Sequence, residues 1–169
     1  MKATLKLEDG REIAVDVSEE TLKQIKKPVK KTGYERVDGQ DIYYSVLNDN
    51  SIMAYMHHNG KFADLVYENA NYYSSKTVAE HQAKADKLHR TLRRFAVEHR
   101  ERAFDWGNSA QPKYFIYYDS SEKDFFTDSR YAMKAFGAIS FDTREIALAA
   151  IEEFKDELIW YFTEYKDSL

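Results

Sequence analysis

Between Gly60 and Gly107 the chain carries neither glycine nor proline, so nothing in that stretch punctuates a helix. From Thr77 onward the apolar stripe runs through Val78, Ala85, Leu88, Leu92, Phe95 and Ala96 to His99. This spacing predicts an uninterrupted helix of about 26 residues, ~39 Å long, which the segment Asp105 to Pro112 ends with Gly107, Asn108 and Ser109. A rod of that length needs other elements to cover its apolar face. The chain has 169 residues, and one of that size buries roughly 70% of the surface exposed by its unfolded form, enough for a core without staples. Cysteine is absent, which excludes disulfide frameworks, thiol nucleophiles, Fe–S clusters and Cys-rich zinc sites. The opening residues MKATLKLEDG lack the apolar run of a signal peptide, and no segment approaches the ~18 apolar residues of a membrane span. The expectation is a soluble, cytoplasmic protein with one main domain and a small appendage.

The appendage is read at the start of the chain. Ala3, Leu5 and Leu7 alternate with Thr4 and Lys6; after Glu8-Asp9-Gly10-Arg11 the alternation resumes as Ile13, Val15 and Val17. This pattern predicts a hairpin with an Asp-Gly turn. Ser18 then caps a short helix with Glu19 and Glu20 in its first turn, and Pro28 cannot continue it. Residues 1–31 are thus expected to form a β-β-α module with a basic linker around Lys26 to Thr32, and residues 32–169 the main domain.

A second β region is predicted from Tyr34 to Tyr73, with strands at Ile42 to Leu47, Ser51 to His57 and Phe62 to Glu68 between the turn signals Asp38-Gly39 and Asn59-Gly60. A third opens with Lys113 to Asp119, where both faces are substantially apolar, as in a strand covered on both sides or lying centrally in a sheet. Arg130 to Phe136 and Ala138 to Phe141 read as further strands, with Gly137 as a bulge or turn. Asp142 and Glu145 match a D-x-x-E capping box opening a last helix. Its expected buried stripe is Ala147, Ile151, Phe154, Leu158, Tyr161, Phe162 and Tyr165, with Trp160 on the opposite face.

The two long helices begin alike. Tyr73-Ser74-Ser75-Lys76-Thr77-Val78-Ala79 lies over Phe141-Asp142-Thr143-Arg144-Glu145-Ile146-Ala147, and tyrosine-rich strands precede each. The expected class is α+β: a mostly antiparallel sheet with two long helices, in two strand-rich halves each ending in a helix, plus the amino-terminal module. The stretch Asn71 to Ala79, the helix ending Leu92-Arg93-Arg94-Phe95-Ala96, Asp105-Trp106, the strand Lys113 to Asp119 and the segment Gly137 to Phe154 occur in that order. Together they resemble an uncharacterised group of small proteins encoded by bacteriophages and prophages. The likeness covers about Tyr34 to Tyr165 and implies a phage or mobile-element origin acting in a bacterial host cell, with no catalytic residue carried over. Where that pattern has glycine, this chain has Ala70 and Lys155.

Catalytic signatures are missing. His57, His58, His81, His89 and His99 form no H-E-x-x-H or His-x3-His pair, and Asp119, Asp124 and Asp128, read as one loop, lack the EF-hand spacing and glycine. There is no G-x-S-x-G elbow and no phosphate-binding glycine loop. The expectation is a protein that is not an enzyme and that needs no metal and no cofactor.

Charge is segregated. Residues 81–102 hold seven bases against three acids, whereas residues 119–169 hold twelve acids against six bases. Glu152, Glu153, Asp156 and Glu157 recur at i, i+1, i+4 and i+5 and put a negative strip on one helix face, with Trp160 one turn on as an anchor. Such a strip fits an arginine-rich groove as DNA phosphate does. The chain resembles, in kind, phage counter-defence proteins, including anti-CRISPR proteins. That likeness implies stoichiometric inhibition of a host defence protein or ribonucleoprotein, with a Cas9-type nuclease as the specific target. The alternative is nucleic-acid binding through Lys87, Arg90, Arg93 and Arg94 on the helix around residues 84–102, with aromatic rings for stacking.

Overall fold

The computed structural model describes residues 2–6, 10–16, 18, 31–58 and 60–165. The chain divides into two compact units, Met1–Lys31 and Thr32–Leu169. In the first, β1 (Lys2–Lys6) and β2 (Glu12–Asp16) pair antiparallel, Lys2 opposite Asp16 and Lys6 opposite Glu12. Ile13 is exposed and Val15 half-buried. The expected helix after Ser18 and most of the basic linker lie outside the described residues.

The second unit is α+β, built from β3 (Ile42–Val46), β4 (Ile52–Met56), α1 (Lys61–Glu68), α2 (Lys76–Glu98), β5 (Lys113–Asp119), β6 (Asp124–Arg130), α3 (Arg144–Glu153) and α4 (Lys155–Thr163). Its strands form two separate antiparallel hairpins, β3–β4 and β5–β6, rather than one sheet. No helix among the described residues is long and apolar enough to cross a membrane.

The two halves of this unit repeat one arrangement. Tyr44 and Tyr73 exchange backbone bonds of 2.8 and 3.0 Å, and Tyr114 and Phe141 exchange two of 2.8 Å. Two residues beyond each bridge, Ser75 and Thr143 cap a helix, their hydroxyls accepting from the Val78 and Ile146 N–H groups. Ala79 and Ala147 then sit at 0% exposure, where each helix crosses the strands behind it. The long helix serves both halves. Val78 and Ala79 pack with Tyr73 and the partly buried Tyr44, Val46 and Ile52, while Leu88, Leu92, Phe95 and Ala96 join Phe125, Phe141, Ala147, Ala150 and Leu158 in the larger core.

Four expectations are corrected. Phe62 to Glu68 is helix α1, not a strand: Ala63 and Val66 are three apart, and both pack on the Tyr43–Tyr72 cluster. A strand would have sent them to opposite faces. Arg130 to Phe136 and Ala138 to Phe141 give no strands beyond the Arg130 end of β6 and the single bridge at Phe141, because Gly137 turns the chain at φ +75° between them. β5 accordingly pairs with one full strand and is not central. The cap of α3 is Thr143 rather than Asp142: the Asp142 carboxylate accepts instead from the Glu101 and Arg102 N–H groups, both at 2.9 Å, and Arg102 Nη2 donates to the Asp142 carbonyl at 2.7 Å. Finally, the last helix is interrupted at Phe154, which ends α3 and starts α4. The interruption shifts the buried stripe: Ala150, Leu158 and Trp160 are buried, while Tyr161 and Phe162 are 38% and 42% exposed.

Candidate functional site

The acidic strip straddles the Phe154 interruption. Bonds from Phe154 N to Ala150 O (3.1 Å) and Leu158 N to Phe154 O (2.9 Å) carry helical spacing across it, so Glu152, Glu153, Asp156 and Glu157 remain within little more than a turn. All four are exposed, and none is in an ion pair among the described residues. Their relation to the helix dipoles differs. Asp156 and Glu157 occupy the first turn of α4, which favours negative charge, whereas Glu152 and Glu153 end α3, which opposes it. Glu157 also lines a groove of about 490 Å³ with Asn50, Lys84 and Lys87.

Trp160 does not anchor this strip. Its ring is 9% exposed, held edge-on by His81 at 5.4 Å and capped by Lys84 Nζ at 3.9 Å. With the stripe shifted after Phe154, its ring is turned toward α2 instead of solvent.

Nor do Lys87, Arg90, Arg93 and Arg94 make one basic stripe. All four are exposed, but Arg90 Nη2 donates to Asn50 Oδ1 at 2.6 Å and Arg94 pairs with Glu98 at 3.9 Å. Lys87 faces the groove of Glu157, and Arg93 faces a different one.

The groove of Arg93 was not legible in sequence. It is about 260 Å³, between the carboxyl end of α2, residues 104–106 and the loop 134–140, and is lined by Arg93, Arg100, Phe104, Trp106 and Lys134 among smaller residues. Cations sit over its rings: the Arg100 guanidinium 4.4 Å from the Phe104 centroid and Lys134 Nζ 4.9 Å from that of Trp106. Behind the same loop a second groove of about 250 Å³ holds Lys113, Phe115, Arg130 and Met133, with Arg130 4.4 Å over Phe115. Neither lining contains an acid. Lys113 is 1% exposed, its ammonium bonded to the carbonyls of Asp105 (2.6 Å), Tyr131 (2.9 Å) and Asn108 (3.3 Å). It ties two loops together and leaves a positive charge beneath them. The meeting of Trp106 with the distant Lys134 follows from loop positions set by β5 and β6, so only a tryptophan beside the turn residues Gly107, Asn108 and Ser109 hinted at it.

His57, His89 and His99 have structural roles. His57 is buried with Nδ1 3.1 Å from the Tyr72 hydroxyl, His89 Nε2 lies 2.6 Å from the Gly137 carbonyl, and His99 stacks on Phe95 at 3.9 Å. Asp119 closes the β5–β6 turn, and bonds from the Ser121 hydroxyl, then the Ser121 and Glu122 N–H groups, hold its carboxyl below the usual range. Asp124 and Asp128 lie on β6, not in a loop with it. Among the described residues no three histidine, aspartate or glutamate side chains converge to hold a metal ion. Set against family models, curated proteins and solved structures, the chain gives no match in any of the three comparisons.

Proposed function

We propose that this is a phage or mobile-element protein that inhibits a bacterial defence complex by stoichiometric binding, with a Cas9-type nuclease as the specific target. One observation carries the reading: three carboxylates, Glu152, Glu153 and Asp156, stand exposed and without an ion pair among the described residues at the α3–α4 junction, with Glu157 at the groove beside them. A fixed array of carboxylates meets the fork of an arginine as phosphate does, and occupying a DNA-gripping groove requires no chemistry. Trp160 has no part in this surface.

The test is a DNA-cleavage titration with a purified Cas9–guide RNA complex. Inhibition should be complete near one equivalent, and the triple variant Glu152→Lys, Glu153→Lys, Asp156→Lys should raise the inhibitory dose at least tenfold with an unchanged circular dichroism spectrum. Full cleavage at a large excess of the wild-type protein removes Cas9 as the target. An unchanged dose in the variant removes the strip.

A second reading, nucleic-acid binding, is favoured by the acid-free groove that Arg93 lines at the carboxyl end of α2, apart from Lys87.

A further inference from the structure

We infer that the two grooves either side of residues 133–140 form a binding site for single-stranded nucleic acid, an inference that rests on the second reading above and relocates it from the α2 face to this loop. Ala135, Ala138, Ile139 and Ser140 line both grooves, so the loop is a shared wall with a cation stacked on a ring on each side. Arg93, Arg100, Arg130 and Lys134 supply positive charge at the rims, and the buried Lys113 ammonium adds charge, its bonds among the described residues going to carbonyls. The carboxylate closest in sequence to the two rings, Asp105, is turned to the Gly107 N–H at 2.9 Å.

The arrangement selects a ligand class. Aromatic rings and guanidinium planes in a positive groove are what unpaired bases stack on while their phosphates meet the cations. The Arg100–Phe104 pair presents the outer face of an exposed guanidinium, so a base completes a three-layer stack. Rings set back in a groove are out of reach of bases held inside a duplex. Phe136, fully exposed at the loop turn beside Gly137, offers a further ring to a strand crossing from one groove to the other. An acidic peptide would satisfy the cations and leave the rings unused.

The experiment is fluorescence anisotropy of the full chain with a labelled deoxythymidine oligomer of about ten nucleotides. Four phosphate contacts predict a log–log salt slope of about −3 for a single strand. Arg100→Glu with Lys134→Glu should abolish measurable binding. Phe136→Ala, which removes a ring the fold does not use, should weaken binding several-fold, and an abasic oligomer of equal length should bind at least tenfold more weakly. Equal affinity for the abasic oligomer or for duplex overturns the stacking site. If Lys87→Glu with Arg94→Glu removes binding while the groove variants do not, the groove is overturned and the second reading survives on the α2 face. If no oligomer binds at low salt, both fail, leaving the inhibitory reading untouched.

Discussion

At the scale of single residues, the backbone makes demands that this sequence meets unevenly. Helix α1 ends in a paired motif, Ala70 N–H donating to the Tyr67 carbonyl at 2.9 Å and Asn71 N–H to that of Val66 at 3.1 Å. This geometry puts Ala70 at φ +54°, in the left-handed region that glycine occupies without penalty. The alanine is strained there, and Ala70→Gly should stabilise the protein by about 1 kcal/mol in denaturant unfolding; a loss of stability would show that the strain is absent. Gly33 is the opposite case, at φ +96° with the Val78 side chain 2.6 Å from where a Cβ would stand. It lets residues 32–35 reach the start of α2, where Ser74 N–H donates to the Gly33 carbonyl at 2.8 Å. The departure at Ala70 was visible in the sequence.

At the scale of elements, each half is a hairpin closed by a one-pair bridge and a capped helix, and the two differ in how the residue before the cap is used. Ser74 donates its hydroxyl to Glu35 at 2.9 Å, whereas Asp142 is buried and accepts from two backbone N–H groups, with its other oxygen unpartnered among the described residues. Asp142→Ala should therefore cost about 2 kcal/mol, because it orphans two partly buried backbone donors that bond to a carboxylate. Thr143→Ala removes only a cap and should cost about 1 kcal/mol. Equal costs in thermal unfolding would return the capping role to Asp142. Helical spacing made α2 legible, and the shared strand-to-helix junction exposed the repeat. Helix α1 reads as a strand because eight residues that include Phe, Leu, Val and Tyr suit either periodicity until a partner surface chooses. The partner is the stacked pair Tyr43–Tyr72, 4.2 Å between centroids.

At the scale of the whole molecule, α2 joins the two halves: its first turns belong to one core and its last to the other. Stability at extremes of pH should report on the first half. Burial and then Tyr34 push the Tyr73 phenol from 10.0 up to about 12, so the neutral ring favours the fold below pH 10 and that contribution is lost as pH rises toward 12. Glu35 is held down to about 2 from an ordinary 4.5, chiefly by the Thr32 N–H, so its contribution is present above pH 4.5 and fades as pH falls toward 2. Tyr73→Phe should flatten the alkaline limb of a stability–pH profile and leave the acid limb unchanged; an unaltered alkaline limb would exclude Tyr73 as its source.

The sequence by itself determined the α+β class, the long helix and the paired junctions, because these rest on local periodicity and capping chemistry within a few residues of one another. Tertiary structure alone decided that Phe154 interrupts the last helix and turns Trp160 inward. It also brought Arg100, Phe104, Trp106 and Lys134 into one groove. Those outcomes depend on which surfaces meet, and residues far apart in the chain acquire common chemistry only after the hairpins have set the positions of their loops.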